Sequence, residues 1–221
     1  MTTKVTAFTL KLLAAAAIAC GAQAADDTLA YRGESKGSKV SIDGTSTIHD
    51  WTVEGVVIGG SFEVEKAFET DKSLKSVPSL TTKEKNPKAT IMIPIRSLES
   101  GKQKMDEITQ EAMTAKEQLL IRYVLKEMVV KGEVPASGTP VKFDTKGDLS
   151  MSGETKSIDM EVTMERMPDG KLKFRSEKEL KMTDFKIPPP APSILGMSPI
   201  KTGDEVIIKF EWLTGQRKSR S

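Results

Sequence analysis

Ile158-Asp159-Met160-Glu161-Val162-Thr163-Met164-Glu165 alternates apolar and polar side chains without a break. An extended strand with one buried face reads this way, because successive strand side chains point to opposite faces. A helix would throw the same four apolar residues onto two opposing sides and bury neither. Outward from this run the same period recurs. Val206, Ile208, Phe210 and Trp212 share a face opposite Ile207, Lys209, Glu211 and Leu213. Shorter alternations pass through Ile91, Ile93 and Ile95, through Ile121, Tyr123 and Leu125, and through Leu172 and Phe174. Further strands are expected around Lys39–Asp43, Thr52–Ile58, Ser61–Lys66, Val141–Met151 and Leu180–Thr183.

Turn chemistry separates these segments. Gly59-Gly60 is expected to join two early strands, Pro168-Asp169-Gly170 reads as a hairpin turn, and Gly153 and Thr202-Gly203-Asp204 mark others. Many short strands at close spacing predict a mainly β, antiparallel barrel of about eight strands, since closure removes exposed edges. One segment breaks the rhythm. Ser100 to Lys116 sets Met105, Ile108, Ala112 and Ala115 near helical spacing and predicts one short α-helix. Its apolar stripe is thin, so the helix Lys102–Lys116 belongs across a barrel mouth or on a flank, as lid or flank. Pro188-Pro189-Pro190 with Pro192 reads as a stiff extended loop.

The first 24 residues are expected to be absent from the core. Lys4 and Lys11 precede or flank the apolar stretch Leu12 to Ala19, and Ala22-Gln23-Ala24 is a small-residue cleavage signal. That is the layout of a secretory signal peptide, and the apolar stretch is too short to span a bilayer. The reading divides the chain into a signal peptide at 1–24, a lead-in at 25–37, a barrel domain at 38–214 and a basic disordered tail at 215–221. It places the mature protein in the periplasm or outside the cell. A rival keeps Ala17-Ile18-Ala19-Cys20-Gly21 as a lipobox with Cys20 lipidated, although Ala17 stands where such motifs carry Leu.

Charge narrows the partners. Of 33 basic residues two lie in the leader, which leaves 31 against 31 acidic ones in the mature chain. A neutral chain lacks the basic excess that nucleic-acid phosphates call for, so no nucleic-acid partner is expected. The tail Arg217-Lys218-Ser219-Arg220 reads as a solvated end or as an anionic-surface contact. Cys20, the one cysteine, lies in the leader, so the mature chain forms no internal disulfide.

Chemistry is scarce. His49 is the one histidine, which with no mature cysteine excludes the usual zinc and blue-copper ligand sets; no metal and no cofactor are expected. A hydrolytic triad would have to use His49 beside Asp50, and strand neighbours point to opposite faces. His49 therefore serves a turn hydrogen bond or the barrel mouth, contacts a ligand headgroup, or acts as an acid or base. No nucleotide-binding fingerprint occurs. Met92, Met151, Met160, Met164 and Met182 fall in or beside strands, where flexible thioethers either fill a core or line a cavity of irregular shape.

Several motifs resemble the YceI-like family in the correct order. Gly44-Thr45-Ser46-Thr47-Ile48-His49-Asp50-Trp51 is similar to its Ser/Thr-x-His approach to the second strand. Ser97-Leu98-Glu99-Ser100-Gly101, with Lys104-Met105-Asp106 and Ala115-Lys116-Glu117, resembles its strand-to-helix signature. Leu149-Ser150-Met151-Ser152-Gly153-Glu154-Thr155-Lys156 matches its Gly-x-Thr-Lys hairpin. Met182-Thr183-Asp184-Phe185, Pro188-Pro189 and Lys201-Thr202-Gly203-Asp204-Glu205-Val206 resemble one branch closely. Leu119-Leu120 departs from the pattern, standing where the family has Pro.

The resemblance implies a lipocalin-like barrel around a long apolar cavity for a polyisoprenoid lipid, such as a quinone or prenyl phosphate. The protein would then be an exported carrier and not an enzyme, with transient contact to a membrane or an acceptor protein. Inward cavity candidates are Ile91, Ile93, Ile95, Ile158, Met160, Val162, Phe174, Val206, Ile208 and Phe210, with His49 at the mouth or headgroup. Two rivals stand beside the carrier. One is an enzyme on the same scaffold using His49; the other is an interaction protein whose barrel is filled by its own side chains. The oligomeric state stays open, a dimer included.

Overall fold

A computed structural model describes residues 28–114, 117–135, 138–193 and 199–217. The expected signal peptide, Cys20 and the end of the basic tail lie outside the described residues. Among the described residues ten strands run in chain order. They are β1 (Thr28–Gly33), β2 (Lys39–Ser46), β3 (Trp51–Gly55), β4 (Gly59–Glu65), β5 (Lys88–Pro94), β6 (Leu120–Val130), β7 (Val141–Met151), β8 (Glu154–Arg166), β9 (Leu172–Lys181) and β10 (Thr202–Gln216). All ladders are antiparallel, and eight strands close into a ring in the order β1-β4-β5-β6-β7-β8-β9-β10, with β10 returning to β1. The expected mainly β, antiparallel barrel is what the chain forms.

The barrel extends beyond the 38–214 bounds read from sequence, because β1 lies in the supposed lead-in and pairs with both β4 and the end of β10. Fifteen residues long, β10 serves two partners on one edge, β2 along Val206–Glu211 and β1 at Thr214–Gln216. Between them the chain bends at 34–38, where Glu34 N–H donates to Leu213 O (2.8 Å) and Leu213 N–H donates to Ser38 Oγ (3.0 Å). The β2–β3 hairpin thus rises at the mouth as an extra flap. Glu54 of β3 and Glu99 exchange backbone hydrogen bonds of 2.8 and 2.7 Å, which tie that flap to the segment after β5.

The two ends of the barrel differ. At the closed end the connection 66–87 carries two one-turn helices, α1 (Ala67–Thr70) and α2 (Pro78–Thr81). Phe68, Leu74, Val77 and Leu80 of this connection are fully buried and plug the barrel. Above them Tyr31, Phe62, Phe68, Phe174 and Trp212 form an aromatic cluster with centroid separations of 5.1–6.4 Å. Arg166 lies 3.6 Å over the Phe68 ring and donates to Phe68 O at 2.8 Å. The other end carries the long connections 95–119 and 182–201, and the first of these holds α3 (Gln103–Ala112).

Several local expectations need correction. The helix expected over Lys102–Lys116 is shorter, its residues 115–116 lying outside the described residues, and α1 and α2 join it, so one helix becomes three. Gly59-Gly60 opens β4 instead of bridging two strands, and the strand expected over Thr52–Ile58 stops at Gly55. Thr202-Gly203-Asp204 sits inside β10 as a bulge, with the register slipping between Thr202 and Val206. Met182 and Thr183 leave β9 for a 3-10 turn, Met182–Phe185. The hairpin turns at Gly170 and Gly153 stand as read, the latter with Ser152 and Gly153 both at positive φ (51° and 80°), as a primed turn requires.

One seam is left half-sewn. β8 and β9 pair only through Thr163–Arg166 and Leu172–Arg175. Just above, Ser176 Oγ donates to Glu161 O at 2.6 Å, and the strands then part. Continuing the register would set Glu161 opposite Glu177 and Asp159 opposite Glu179. Like charges directly opposed across strands destabilise the pair, which accounts for the separation. Glu161 is instead drawn toward Lys131 (2.9 Å) and Lys142 (2.8 Å) on the far side.

Candidate functional site

The mouth opens into an apolar chamber of about 400 Å³, within the range of small-molecule sites. Each wall comes from a different element. The flap contributes Ile42, Ile48, Trp51 and Val53, and α3 contributes Met105, Ile108 and Ala112. The turn after β9 adds Met182, Phe185 and Ile187, and Pro190 and Pro192 close the side. The thin stripe of α3 is therefore turned inward across the mouth, as its spacing implied. Three of the methionines noted in sequence line the two chambers, Met151 and Met182 here and Met160 deeper; Met164 is packed in the core.

Below the first chamber lies a second of about 70 Å³. Ile42, Leu180 and Ile208 line both, so the two chambers adjoin, one below the other. Aliphatic side chains from β2, β5, β6, β7, β8 and β10 make most of the lower chamber's wall. Three polar residues interrupt it, Tyr123, Ser176 and Lys178. The Tyr123 hydroxyl is buried, and Thr145, whose own proton goes to Met160 O (2.9 Å), offers it an oxygen that can accept. Burial raises the Tyr123 phenol above its ordinary value, so it keeps its proton as a donor.

The residues singled out in sequence divide by height. Ile91, Ile93, Ile158, Met160, Ile208 and Phe210 line the inner chamber, and Val206 lines the outer one with Ile208. Val162 and Phe174 do face inward, but both sit in the packed lower half, where Phe174 stacks between Phe62 (5.1 Å) and Trp212 (5.6 Å). Ile95 lies in a 3-10 turn after β5 and is fully buried away from both chambers. These three are packing residues because alternation specifies a face and not a height along the barrel.

His49 lines the outer chamber from the exposed turn between β2 and β3. Its Nδ1 lies 2.7 Å from Asp50 O, and its backbone N–H donates to Ser46 Oγ at 3.2 Å. The ring thus meets a carbonyl of its own turn, and no carboxylate among the described residues orients it. Among the described residues no cluster of metal-ligating side chains occurs, and no helix is long and apolar enough to cross a membrane.

Sequence reasoning passed over Lys178, Leu180 and Ser176. On β9 the inward positions run Leu172, Phe174, Ser176, Lys178, Leu180, and a search for apolar alternation stops at Phe174. The ladder holds the signal, since Lys178 is opposite Ile208, which faces the chamber.

A closed antiparallel barrel, plugged at one end and hollow behind an apolar mouth at the other, defines the class of this protein. Residues 31–212 match the YceI-like domain, and the chain belongs to that family. Among solved structures it is similar to a polyisoprenoid binding domain from Saccharophagus degradans implicated in plant cell wall breakdown. That pair has a TM-score of 0.61 at 13% identity, covering 86% of this chain and 99% of the other. It is also similar to BcnA of Burkholderia cenocepacia, with a TM-score of 0.57 at 17% identity over 80% and 95% of the two chains. These likenesses show the fold. No curated protein matches the sequence.

Proposed function

We propose that this protein is an exported carrier that takes the tail of a polyisoprenoid lipid, of the quinone or prenyl phosphate type, into its barrel. The carrying observation is the pair of adjoining apolar chambers that share Ile42, Leu180 and Ile208 in their walls. A barrel filled by its own side chains would leave no chamber of about 400 Å³ behind its mouth. The Saccharophagus degradans neighbour, described as polyisoprenoid-binding, supports the same ligand class.

Burying a prenyl tail gains about 0.8 kcal/mol per methylene-sized group, less the cost of ordering a flexible chain. The surplus makes escape into water slow, so unloading goes to a membrane or an acceptor protein. An exposed apolar rim suits that contact. Ile48 at the flap tip and Leu119 and Leu120 before β6 are 54%, 60% and 42% exposed, all at the mouth end. The Leu119-Leu120 departure from the family pattern thus adds apolar surface where unloading takes place.

Binding, not turnover, is the role, since His49 is committed to its own turn. Export rests on the leader sequence, with delivery to the periplasm or the exterior; lipidation at Cys20 is the alternative anchor. Organic-solvent extraction of the purified protein followed by mass spectrometry tests the proposal. A stoichiometric prenyl lipid is expected. An empty extract with no uptake of added prenylquinone would overturn it in favour of an interaction barrel.

A further inference from the structure

We infer that the prenyl chain enters tail first and that its far end lodges in a slot in the barrel wall between β8 and β9, which fits the protein to chains longer than its two chambers. This rests on the carrier reading and adds the chain-length class and the place of the tail.

The slot is an interrupted ladder between two otherwise intact strands. β8 keeps its pairing with β7 up to Glu154, and β9 keeps its pairing with β10 up to Lys181. Between β8 and β9 the ladder ends at Thr163 and Arg175, so residues 154–160 of one strand and 177–181 of the other are left unsewn. At the rise of an extended strand this opening runs roughly 20 Å along β8. Side chains frame it. Ser176 Oγ donates to Glu161 O (2.6 Å) at the lower end, and Lys186 Nζ meets Glu154 Oε1 (2.5 Å) at the upper end. The 3-10 turn Met182–Phe185 carries the chain from the top of β9 to that ion pair, with Phe185 and Ile187 buried against the outer chamber.

The lips of the slot are also walls of the inner chamber. Ile158 and Met160 of β8 and Ser176, Lys178 and Leu180 of β9 line it, and all five are only partly buried. A chain moving down from the mouth is stopped below them. Val162 and Phe174 are the next inward residues on the same two strands, and both belong to the packed lower half. Sideways the resistance is smaller, since β8 and β9 can spread there without breaking a ladder hydrogen bond, and an exposed ion pair holds them lightly. Each methylene kept among Ile158, Met160 and Leu180 instead of in water adds to binding, so a longer chain is held more tightly. The slot also accounts for Lys178, which lines an apolar wall and has no ion-pair or hydrogen-bond partner among the described residues. At an open lip its stem packs while its ammonium reaches water.

Two measurements test the inference. The first compares equilibrium binding of geranylgeraniol and the longer solanesol, and wild-type protein is expected to bind solanesol at least as tightly. Asp159→Cys with Glu179→Cys, in a Cys20→Ser background, staples the slot across the continued register. Once oxidised, this variant should bind solanesol about ten-fold more weakly, keep geranylgeraniol within about three-fold, and recover on reduction. The second needs no staple. A solanesol analogue with a diazirine at its far end, photolysed in wild-type protein, should label the outward residues Asp159, Glu177 or Glu179, and this label decides alone if the two thiols do not join. Label confined to the flap, α3 or the aromatic cluster would overturn the inference. So would a formed staple that leaves solanesol binding unchanged, or wild-type protein that binds geranylgeraniol alone. The carrier reading survives each of these, whereas wild-type protein that binds neither prenol would overturn both.

Discussion

The Tyr123 phenol lies across Gly147 so closely that a Cβ at Gly147 would overlap the ring. The two residues sit on neighbouring strands, Gly147 opposite Leu125 and Tyr123 opposite Leu149. Glycine at 147 therefore sets how far the ring can lean from the chamber axis and keeps the inner chamber open.

Gly147→Ala should push the ring into the chamber or strain β7. A cost of about 1–3 kcal/mol is expected from overpacking. The loss should be smaller when Tyr123→Leu is present in the same chain. Chemical denaturation of the two single variants and the double variant measures this coupling.

At the closed end Arg166 stacks on Phe68 and donates to its carbonyl. Arg166→Met keeps the stem and removes the cation. The expected loss is about 2 kcal/mol, from the cation–π contact and the hydrogen bond. Lipid uptake should be unchanged, because both chambers lie toward the other end. Thermal unfolding and an uptake assay on the same variant separate the two effects.

The parted upper seam should respond to charge. Glu179→Lys would place a cation opposite Asp159 in the continued register of β8 and β9. Pairing of opposite charges across strands contributes roughly 0.2–1 kcal/mol. Amide exchange at 157–161 and 176–180 should slow, and lipid exchange should slow with it if the seam breathes during loading. Unchanged amide exchange would show that carboxylate repulsion is not what holds the strands apart.

Acid should weaken the fold through two carboxylates. Asp71 accepts hydrogen bonds from the N–H and hydroxyl groups of Ser73 and Ser76 (2.6–2.8 Å), which hold it well below the usual carboxylate range. Hydrogen bonds from Lys142 and Lys131 depress Glu161 to about 2. A group depressed in the folded state stabilises above its unfolded value and loses that contribution as pH falls through its folded value. Stability should therefore fall from about pH 4 down to about pH 2. Asp71→Asn should flatten part of this slope in melting curves taken across that window.

How much of this was legible in sequence depends on the kind of order involved. The unbroken alternation of Ile158 to Glu165 made β8 plain, and the turn residues around Gly153 and Gly170 placed its ends. α1 and α2 were not legible, because a single helical turn has no period to detect. β1 was missed because its partners, β4 and the end of β10, are distant in sequence and Tyr31 is its one fully buried side chain. For the site, inward direction could be read for Met160 and Phe174 alike. What separates them is position along the axis, Phe174 in the aromatic plug and Met160 beside the hollow, and that depends on strand stagger. Lys178 was hidden for the opposite reason, since a polar residue at an inward position looks like the end of a strand.

The central claim is that the chambers adjoining at Ile208 hold one prenyl chain. Native mass spectrometry of the protein with a long-chain prenol, for wild type and for Ile208→Trp, tests it most directly. The account predicts a one-to-one complex for wild type and none for the variant, with both proteins melting within a few degrees of each other. A wild-type protein that takes up no prenol, or a plugged variant that takes up as much, would contradict it.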